Sequence, residues 1–319
     1  MKILLATAAA IAASFTAPAE AATSKRVLFE SAGQRLVGDL YLPDGFKAGD
    51  KLPAVVVTGA WMTVKEQMPA RYAAELADRG YAALAFDFRG WGQSEGAERS
   101  LESPTMKTED IAAAAAYLAT RPEIDASRIG GLGICASAGY MAGAVAASPN
   151  LRSMALVAPW LHDSTIVDQV YGGREGVAKL VATSRAAADR FARTGVSMLV
   201  PAASTTDKTA IMQQAPYYTD RSRGLIPEWE NRFNLASWEG WLTFDAVSIA
   251  PRLGGKPVAM VHSEAAAIPQ GARRFYGKLS GPKQELWLEN VGQLDFYDQA
   301  QPVTRAADFV ADHFASTLK

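Results

Sequence analysis

Cys135 is the only cysteine in the chain, and it lies in Gly131-Leu132-Gly133-Ile134-Cys135-Ala136-Ser137-Ala138-Gly139, with small residues at 133, 137 and 139. That spacing is small-x-nucleophile-x-small, the pattern of a nucleophile elbow. A sharp strand-to-helix turn needs small neighbours so that the helix can close on the strand. It lifts the central side chain into the open and leaves the next backbone N–H free for an oxyanion. The chemistry would be covalent attack on a carbonyl. Ser137 competes for the role in the weaker frame Cys135-x-Ser137-x-Gly139. A lone cysteine is most often a small buried hydrophobe, and the elbow position argues against that here. A free thiol with a pKa near ~8.5 is roughly a few per cent thiolate at neutral pH. The N-terminus of the following helix is expected to lower that pKa further. Cys135 therefore needs a base less than Ser137 would. The chain has only three histidines, His162, His262 and His313.

The elements that must position the thiol read as follows. Apolar runs at 52–57, 82–86, 128–133, 153–158, 257–262 and 284–288 are short and continuous, typical of strands buried on both faces. They alternate with helical patterns at 71–79, 108–120 (capped by Thr108), 138–147, 271–279 and 303–318. Two further strands, 26–29 and 34–42, flank a turn at Ala32-Gly33. The alternation predicts an α/β fold, a mostly parallel sheet with helices on both faces, whose chemistry sits at the carboxyl ends of the strands. Between about 163 and 245 the periodicity turns helical and the composition aromatic, with Tyr217, Tyr218, Trp229, Trp238 and Trp241. This reads as an inserted helical cap, its aromatics either lining a pocket or packing the cap onto the core.

Bulk properties exclude several classes. The 319 residues are 49% hydrophobic and 20% charged, with formal net charge −1. A balance so near zero gives no electrostatic reason to expect nucleic acid as a partner. A single cysteine rules out an internal disulfide. No group of His, Cys and carboxylates stands at metal-ligand spacing, and no G-x-G-x-x-G follows a strand, so no cofactor is implied. The start of the chain has a charged residue, Lys2, then an apolar run from Ile3 to Phe15, then Ala17-Pro18-Ala19-Glu20-Ala21. That is the layout of a signal peptide over 1–21 cleaved after Ala21, the apolar run being short for a membrane span. A periplasmic or secreted protein of one domain, 22–319, is expected, with no integral membrane segment after cleavage.

Taken together, the elbow, the strand order and the loop Asp87-Phe88-Arg89-Gly90-Trp91-Gly92-Gln93-Ser94 resemble the α/β-hydrolase superfamily over essentially all the mature length. Within it, Gly133-Ile134-Cys135-Ala136-Ser137 is similar to the elbow of the dienelactone-hydrolase-like branch, where the nucleophile is often Cys. The resemblance implies an oxyanion-hole loop after residue 57, in which Ala60 or Trp61 supplies one N–H and Ala136 the other. It implies structural roles for Asp87 and for His262. Lys65, Glu66 and Gln67, just past the loop, either line the site or solvate a helix start, the second being the default. His313, in the closing helix, is expected at the surface.

The departures from that pattern matter as much. The acid expected in an H-G-x-x-D-like stretch falls in His262-Ser263-Glu264-Ala265-Ala266, where Ala266 takes the acid position and Glu264 is the nearest carboxylate. The expected catalytic His falls in Gly292-Gln293-Leu294-Asp295-Phe296-Tyr297, where Gln293 takes its place. An amide cannot accept the nucleophile's proton as imidazole does. His162, just past a strand end and beside Asp163, is a candidate displaced base, or else a loop residue at the cap hinge. Two functions remain open. One is an exported enzyme moving an acyl group of an ester, thioester or lactone through Cys135, with His162 and Glu264 as partners and Gln293 or Ser137 lining the site. The other is an inactive member that keeps the fold to bind a small molecule.

Overall fold

The computed structural model describes residues 24–319. The expected leader, 1–21, lies outside the described residues. Strands β1 (Ser24–Ser31), β2 (Gln34–Tyr41), β3 (Leu52–Thr58), β4 (Ala82–Phe86), β5 (Ile124–Ile134), β6 (Leu151–Val157), β7 (Val258–His262) and β8 (Lys283–Trp287) form one sheet in the order β1-β2-β4-β3-β5-β6-β7-β8. The pairs β1–β2 and β2–β4 are antiparallel, and every pairing from β4 through β8 is parallel. The parallel part follows from the sequence: Val55, Val56, Val57, Leu84, Leu132 and Leu156 are fully buried, as strands covered by helices on both faces require.

Helices α1 (Met68–Ala77) and α2 (Pro104–Ala119) pack on opposite faces of the sheet. Helix α3 (Ser137–Ala147) leaves the elbow beside α2. The helix expected from Thr108 starts a turn earlier: Ser103 accepts from the Met106 N–H at 3.3 Å, and Pro104 stands at the first helical position. Proline fits there because its missing N–H would have no partner anyway.

Between β6 and β7 the chain forms α4 (Ser164–Val170), the long α5 (Gly173–Thr194), the short α6 (Pro216–Thr219), α7 (Ser237–Thr243) and two two-residue strand pairs. After β7 come α8 (Pro269–Gly277), α9 (Asp295–Asp298) and α10 (Ala300–Thr317), the last two following β8. Among the described residues no helix is long and apolar enough to cross a membrane.

Register brings the reactive ends together. Thr58 pairs with Gly133, Ile134 with Val157, and Val157 with Val261. The chain therefore leaves β3, β5, β6 and β7 at one edge, where Gly59, Cys135, Ala158 and Ser263 begin the loops. The β5–α3 turn is as tight as the small residues suggested. A Cβ on Gly133 would stand 2.8 Å from the Ala138 Cα and 2.9 Å from the Ser137 carbonyl oxygen. These are backbone atoms, so Gly133→Ala should destabilise the protein by about 1–3 kcal/mol. Chemical denaturation checks this, and an unchanged midpoint would show the elbow to be looser than its geometry.

Candidate active site

Cys135 adopts φ 56°, a left-handed conformation that a non-glycine residue holds only when its surroundings impose it. They do so through both backbone groups. The Cys135 N–H donates to the Val157 carbonyl at 3.0 Å, and the Cys135 carbonyl accepts from the Trp160 N–H at 2.9 Å and the Ala138 N–H at 3.1 Å. Ser137 braces the turn from inside. Its Oγ accepts from the Ile134 N–H and donates to the Ile134 carbonyl, both at 3.0 Å, while the Thr58 hydroxyl reaches it at 3.0 Å. Ser137 is fully buried and, with its hydroxyl spent on the turn, is not among the residues that line the cavity facing Cys135. The structure keeps it apart from the site.

The thiol faces a cavity of about 410 Å³ lined by Trp61, Trp160, Tyr171, Tyr218, Trp238 and Trp241, with Ala136, Gln293 and Tyr297. The lining carries no charged side chain. Three of the indoles are neighbours: Trp241 stacks on Trp61 at 5.0 Å and 29°, and Trp160 lies tilted against Trp241 at 6.3 Å. Trp61, Ala136 and Tyr297 line the same cavity as Cys135, and their N–H and hydroxyl groups favour its thiolate form. Neither N–H has a backbone acceptor among the described residues. Two uncommitted N–H groups converging on one thiol can hold a developing oxyanion. Ala60 contributes differently: its carbonyl accepts from the Thr63 hydroxyl at 2.7 Å, and Trp61, not Ala60, presents the N–H.

Burial pushes the Cys135 thiol up from its ordinary value, outweighing the Tyr297, Ala136 and Trp61 donors that pull it down, and Glu102 adds to the rise. The expectation that the helix N-terminus would leave the thiol more acidic than usual is thus reversed, because desolvation penalises the anion more than the nearby donors favour it.

The structure does not bring the expected partners to this thiol. His162 is buried with both ring nitrogens engaged: Nδ1 accepts from the Trp160 indole at 3.0 Å and Nε2 donates to the Trp241 carbonyl at 3.0 Å. Neither nitrogen is left to take the thiol proton, and burial lowers the basicity of the ring. Glu264 is exposed and paired with Arg273, away from the cavity lining. Ala266 is buried and supplies no carboxylate.

Gln293, by contrast, does line the cavity. Its Oε1 accepts from the Ala267 N–H at 3.0 Å, and its Nε2 donates to the Ala158 carbonyl at 2.9 Å and the Tyr297 hydroxyl at 3.1 Å. Every polar atom of the amide is used, tying the ends of β6 and β7 to α9. Tyr297, which shares the cavity lining with Cys135, is a site residue that no motif marks. The available signal was its spacing: four residues after Gln293, it falls one helical turn along.

The charged residues near the oxyanion loop are also placed differently from expectation. Lys65 is fully buried among Asp39, Glu66 and Asp87, at 3.5 Å from Asp39 and 3.6 Å from Asp87. Asp87 is structural, accepting from the backbone N–H groups of Lys65 at 2.8 Å and Gln93 at 3.0 Å. His313 is buried, not at the surface: its Nε2 meets the Ser153 hydroxyl at 2.8 Å and its Nδ1 the Gln284 amide at 3.1 Å. His262 is fully buried, with no hydrogen-bond partner for either ring nitrogen among the described residues, against the Trp287 ring at 5.2 Å. Among the described residues no group of three His, Cys, Asp or Glu could hold a metal ion.

Comparison with known proteins places this site. The model of the X-Pro dipeptidyl-peptidase (S15) family matches residues 32–290. The chain belongs to that family. It is similar to an uncharacterized protein of Pseudomonas aeruginosa, 29% identical over 88% of this chain and 78% of that one. A crystal structure of that organism's hypothetical protein superposes with a TM-score of 0.82 at 25% identity, covering 94% of this chain and 95% of that one. A thiohydrolase of Arthrinium phaeospermum is 25% identical over 86% of this chain and 93% of its own. The structure of an alpha/beta hydrolase from a Penicillium species shares the fold with a TM-score of 0.75 at 22% identity, covering 92% of this chain and 99% of that one. This S15-family chain has the α/β-hydrolase fold.

Two outcomes follow from the site. Removing the Tyr297 hydroxyl takes one hydrogen bond from the thiolate, so Tyr297→Phe should slow iodoacetamide labelling of Cys135 at pH 8 by about 2–10-fold. In the wild type, labelling should keep rising with pH above the ordinary thiol range of about 8.5. An early plateau would contradict the burial of the thiol. The second outcome concerns stability. Burial pushes both His262 and His313 down to about 4. Above the ordinary histidine value of about 6.5 their contribution is intact. As pH falls from there towards 4, the unfolded chain binds protons that the folded imidazoles refuse, and stability is lost. Calorimetry should show Tm falling between pH 7 and pH 5, with a smaller fall in His262→Phe.

Proposed function

We propose that this α/β-hydrolase takes an acyl group from a neutral thioester onto Cys135 and passes it to water or another acceptor. The observation that carries the reading is the thiol itself: a cysteine at φ 56° facing an aromatic cavity that Trp61 and Ala136 also line, the N–H groups of both favouring negative charge on the sulfur. In the first step the sulfur–carbonyl bond forms and the bond to the leaving sulfur breaks. The thiol proton leaves with the departing group, which emerges as a free thiol. Trp61 and Ala136 would hold the oxyanion between these events.

The absence of an imidazole contact on Cys135 favours a thioester over an ester or lactone. Without a protonated imidazole the leaving group must depart with little help, and a thiolate does so far more readily than an alkoxide. The thiohydrolase relative is consistent with this choice. A protonated amino group would find no carboxylate in the cavity lining, which argues against a free dipeptide terminus as the group bound beside Cys135. The cysteine elbow keeps the mechanistic likeness to the dienelactone-hydrolase-like branch. The 163–245 segment is read as the cap that selects the acyl group, and the 1–21 stretch as a leader directing the protein to the periplasm.

A second reading, a binding protein of the same fold, draws on one observation: neither the His162 ring nor a carboxylate reaches the thiol. Incubation with aryl and alkyl acyl thioesters, followed by intact mass spectrometry and a free-thiol assay, separates the two. The enzyme reading expects an acyl adduct on Cys135 and thiol release, both abolished in Cys135→Ala. Cys135→Ser should lose roughly a hundredfold or more, because a hydroxyl without a base is a poor nucleophile. A wild type that binds these compounds without adduct or thiol release would establish the binding protein.

A further inference from the structure

Three successive peptide units of the loop after β3 are pinned by side chains from three different parts of the chain. The 60–61 peptide, whose N–H is the one Trp61 presents to Cys135, has its carbonyl held by the Thr63 hydroxyl at 2.7 Å. The 61–62 peptide donates its N–H to Glu102 Oε2 at 3.0 Å. The 62–63 peptide has its carbonyl held by the Trp229 indole N–H at 2.6 Å. Between the last two lies Met62, fully buried and at φ 62°. A methionine in the left-handed region is strained and relaxes unless its neighbours over-determine it.

Glu102 is itself an unusual anchor. It is fully buried, and its Oε1 accepts from the Tyr140 hydroxyl at 2.9 Å and pairs with Lys107 Nζ at 2.7 Å. Lys107 is buried too, over the rings of Phe88 at 4.6 Å and Trp91 at 4.7 Å. The Glu102 N–H donates to the Ser237 hydroxyl at 2.8 Å, at the first position of α7. A buried ion pair is seldom a net source of stability, since well-packed apolar residues do as well. This one is placed where a carboxylate oxygen is needed to hold a strained peptide.

We propose that Glu102 and Trp229 are positioning residues: by holding Met62 from both sides they keep the Trp61 N–H aimed at Cys135, so that the oxyanion site is complete only when the 163–245 segment is seated. Trp229 and Ser237 both belong to that segment; Trp229 holds the loop directly and Ser237 through the backbone of Glu102. Opening the segment would withdraw the Trp229 indole and the Ser237 hydroxyl together, freeing Met62 to relax and the Trp61 N–H to turn away. Occupation of the cavity and assembly of the oxyanion donor are thereby coupled.

The test uses full-length Trp229→Phe and the double variant Glu102→Leu/Lys107→Met. The double variant removes the carboxylate without stranding a buried cation, which a single apolar change at Glu102 would leave unpaired. Two measurements do not need turnover: hydrogen exchange of the amides in residues 59–64, and the pH midpoint of Cys135 labelling by iodoacetamide. Both variants should exchange the Trp61 and Met62 amides roughly tenfold faster, the equivalent of one lost buried hydrogen bond. In Trp229→Phe the labelling midpoint should also move upward as the Trp61 donor leaves the sulfur. Acyl transfer, which rests on the reading given under Proposed function, should lose kcat roughly tenfold with KM within about twofold, the mark of an interaction made in the transition state. Glu102→Gln/Lys107→Met, which keeps an acceptor for the Met62 N–H and strands no cation, should restore slow exchange. Folded variants with wild-type exchange and an unmoved labelling midpoint would overturn the proposal. If the wild type transfers no acyl group, the acyl-transfer reading fails, while the exchange and labelling results still decide the role of the clamp.

Discussion

One backbone constraint underlies the site: a non-glycine residue held in the left-handed region between β5 and α3. The helix can start directly at the strand end only if Gly133 leaves room for the backbone at Ala138. Ser137 must turn inward to satisfy Ile134, and the Cys135 peptide must find partners on the neighbouring strand exit. Those partners, Val157 and Trp160, lie on either side of the end of β6, so the turn that presents the thiol also sets one indole into the cavity wall. The strain is local, but its compensation is spread over β3, β5 and β6 through Thr58, Ile134 and Val157. A thiol on a slack turn would sit in the same sequence and lack the fixed relation to the Trp61 and Ala136 N–H groups on which oxyanion stabilisation depends.

Gln293 shows why the imidazole position cannot be read as a simple loss. An amide offers two donors and one acceptor in a plane, and here the three directions are taken by Ala158, Tyr297 and Ala267. Neutral imidazole has one donor and one acceptor and could not make all three bonds. Ala158 lies at φ 43° at the end of β6, so the amide also braces a second strained residue beside the elbow. Through Tyr297 the same amide reaches the thiol indirectly, with a phenol whose own ionisation is pushed well up by burial. What faces the sulfur is therefore a hydrogen-bond donor and not a base.

The fold was legible because its signals are local and repeated. The continuous apolar runs of β3 to β7 and the Gly-Ile-Cys-Ala-Ser turn needed no long-range information. Of the site, the elbow was legible from its small residues at the end of a strand, while Ala60 or Trp61 and Ala136 were named only through the resemblance. Side-chain partners were not legible, because they depend on what else competes for each group. His162 is near the rim in sequence, yet the Trp160 indole and the Trp241 carbonyl had already taken its two nitrogens. Glu264 sits next to the expected acid position, but Arg273 on α8 holds it outside. His313 was assigned to the surface from its place in the last helix, whereas α10 buries that face and gives the ring Ser153 and Gln284. Glu102 and Trp229 carried no motif at all; their meaning lies in reaching one peptide from two distant parts of the chain.

The electrostatics of the site point to a division between the resting thiol and the reacting one. Burial and the Glu102 charge hold Cys135 protonated, while Trp61 and Ala136 present N–H groups with no backbone acceptor. A site built to store a thiolate would do the reverse, with cations and solvent near the sulfur. Here the nearby dipoles favour the anion but are outweighed by burial, so the resting sulfur stays a thiol. Burial also protects the thiol, since oxidation follows thiolate character and exposure. The neutral pairing of Glu102 with Lys107 lets the same carboxylate hold the loop without flooding the cavity with negative charge. The rise in the thiol is the consequence of burial first, with a smaller addition from the nearby Glu102 charge.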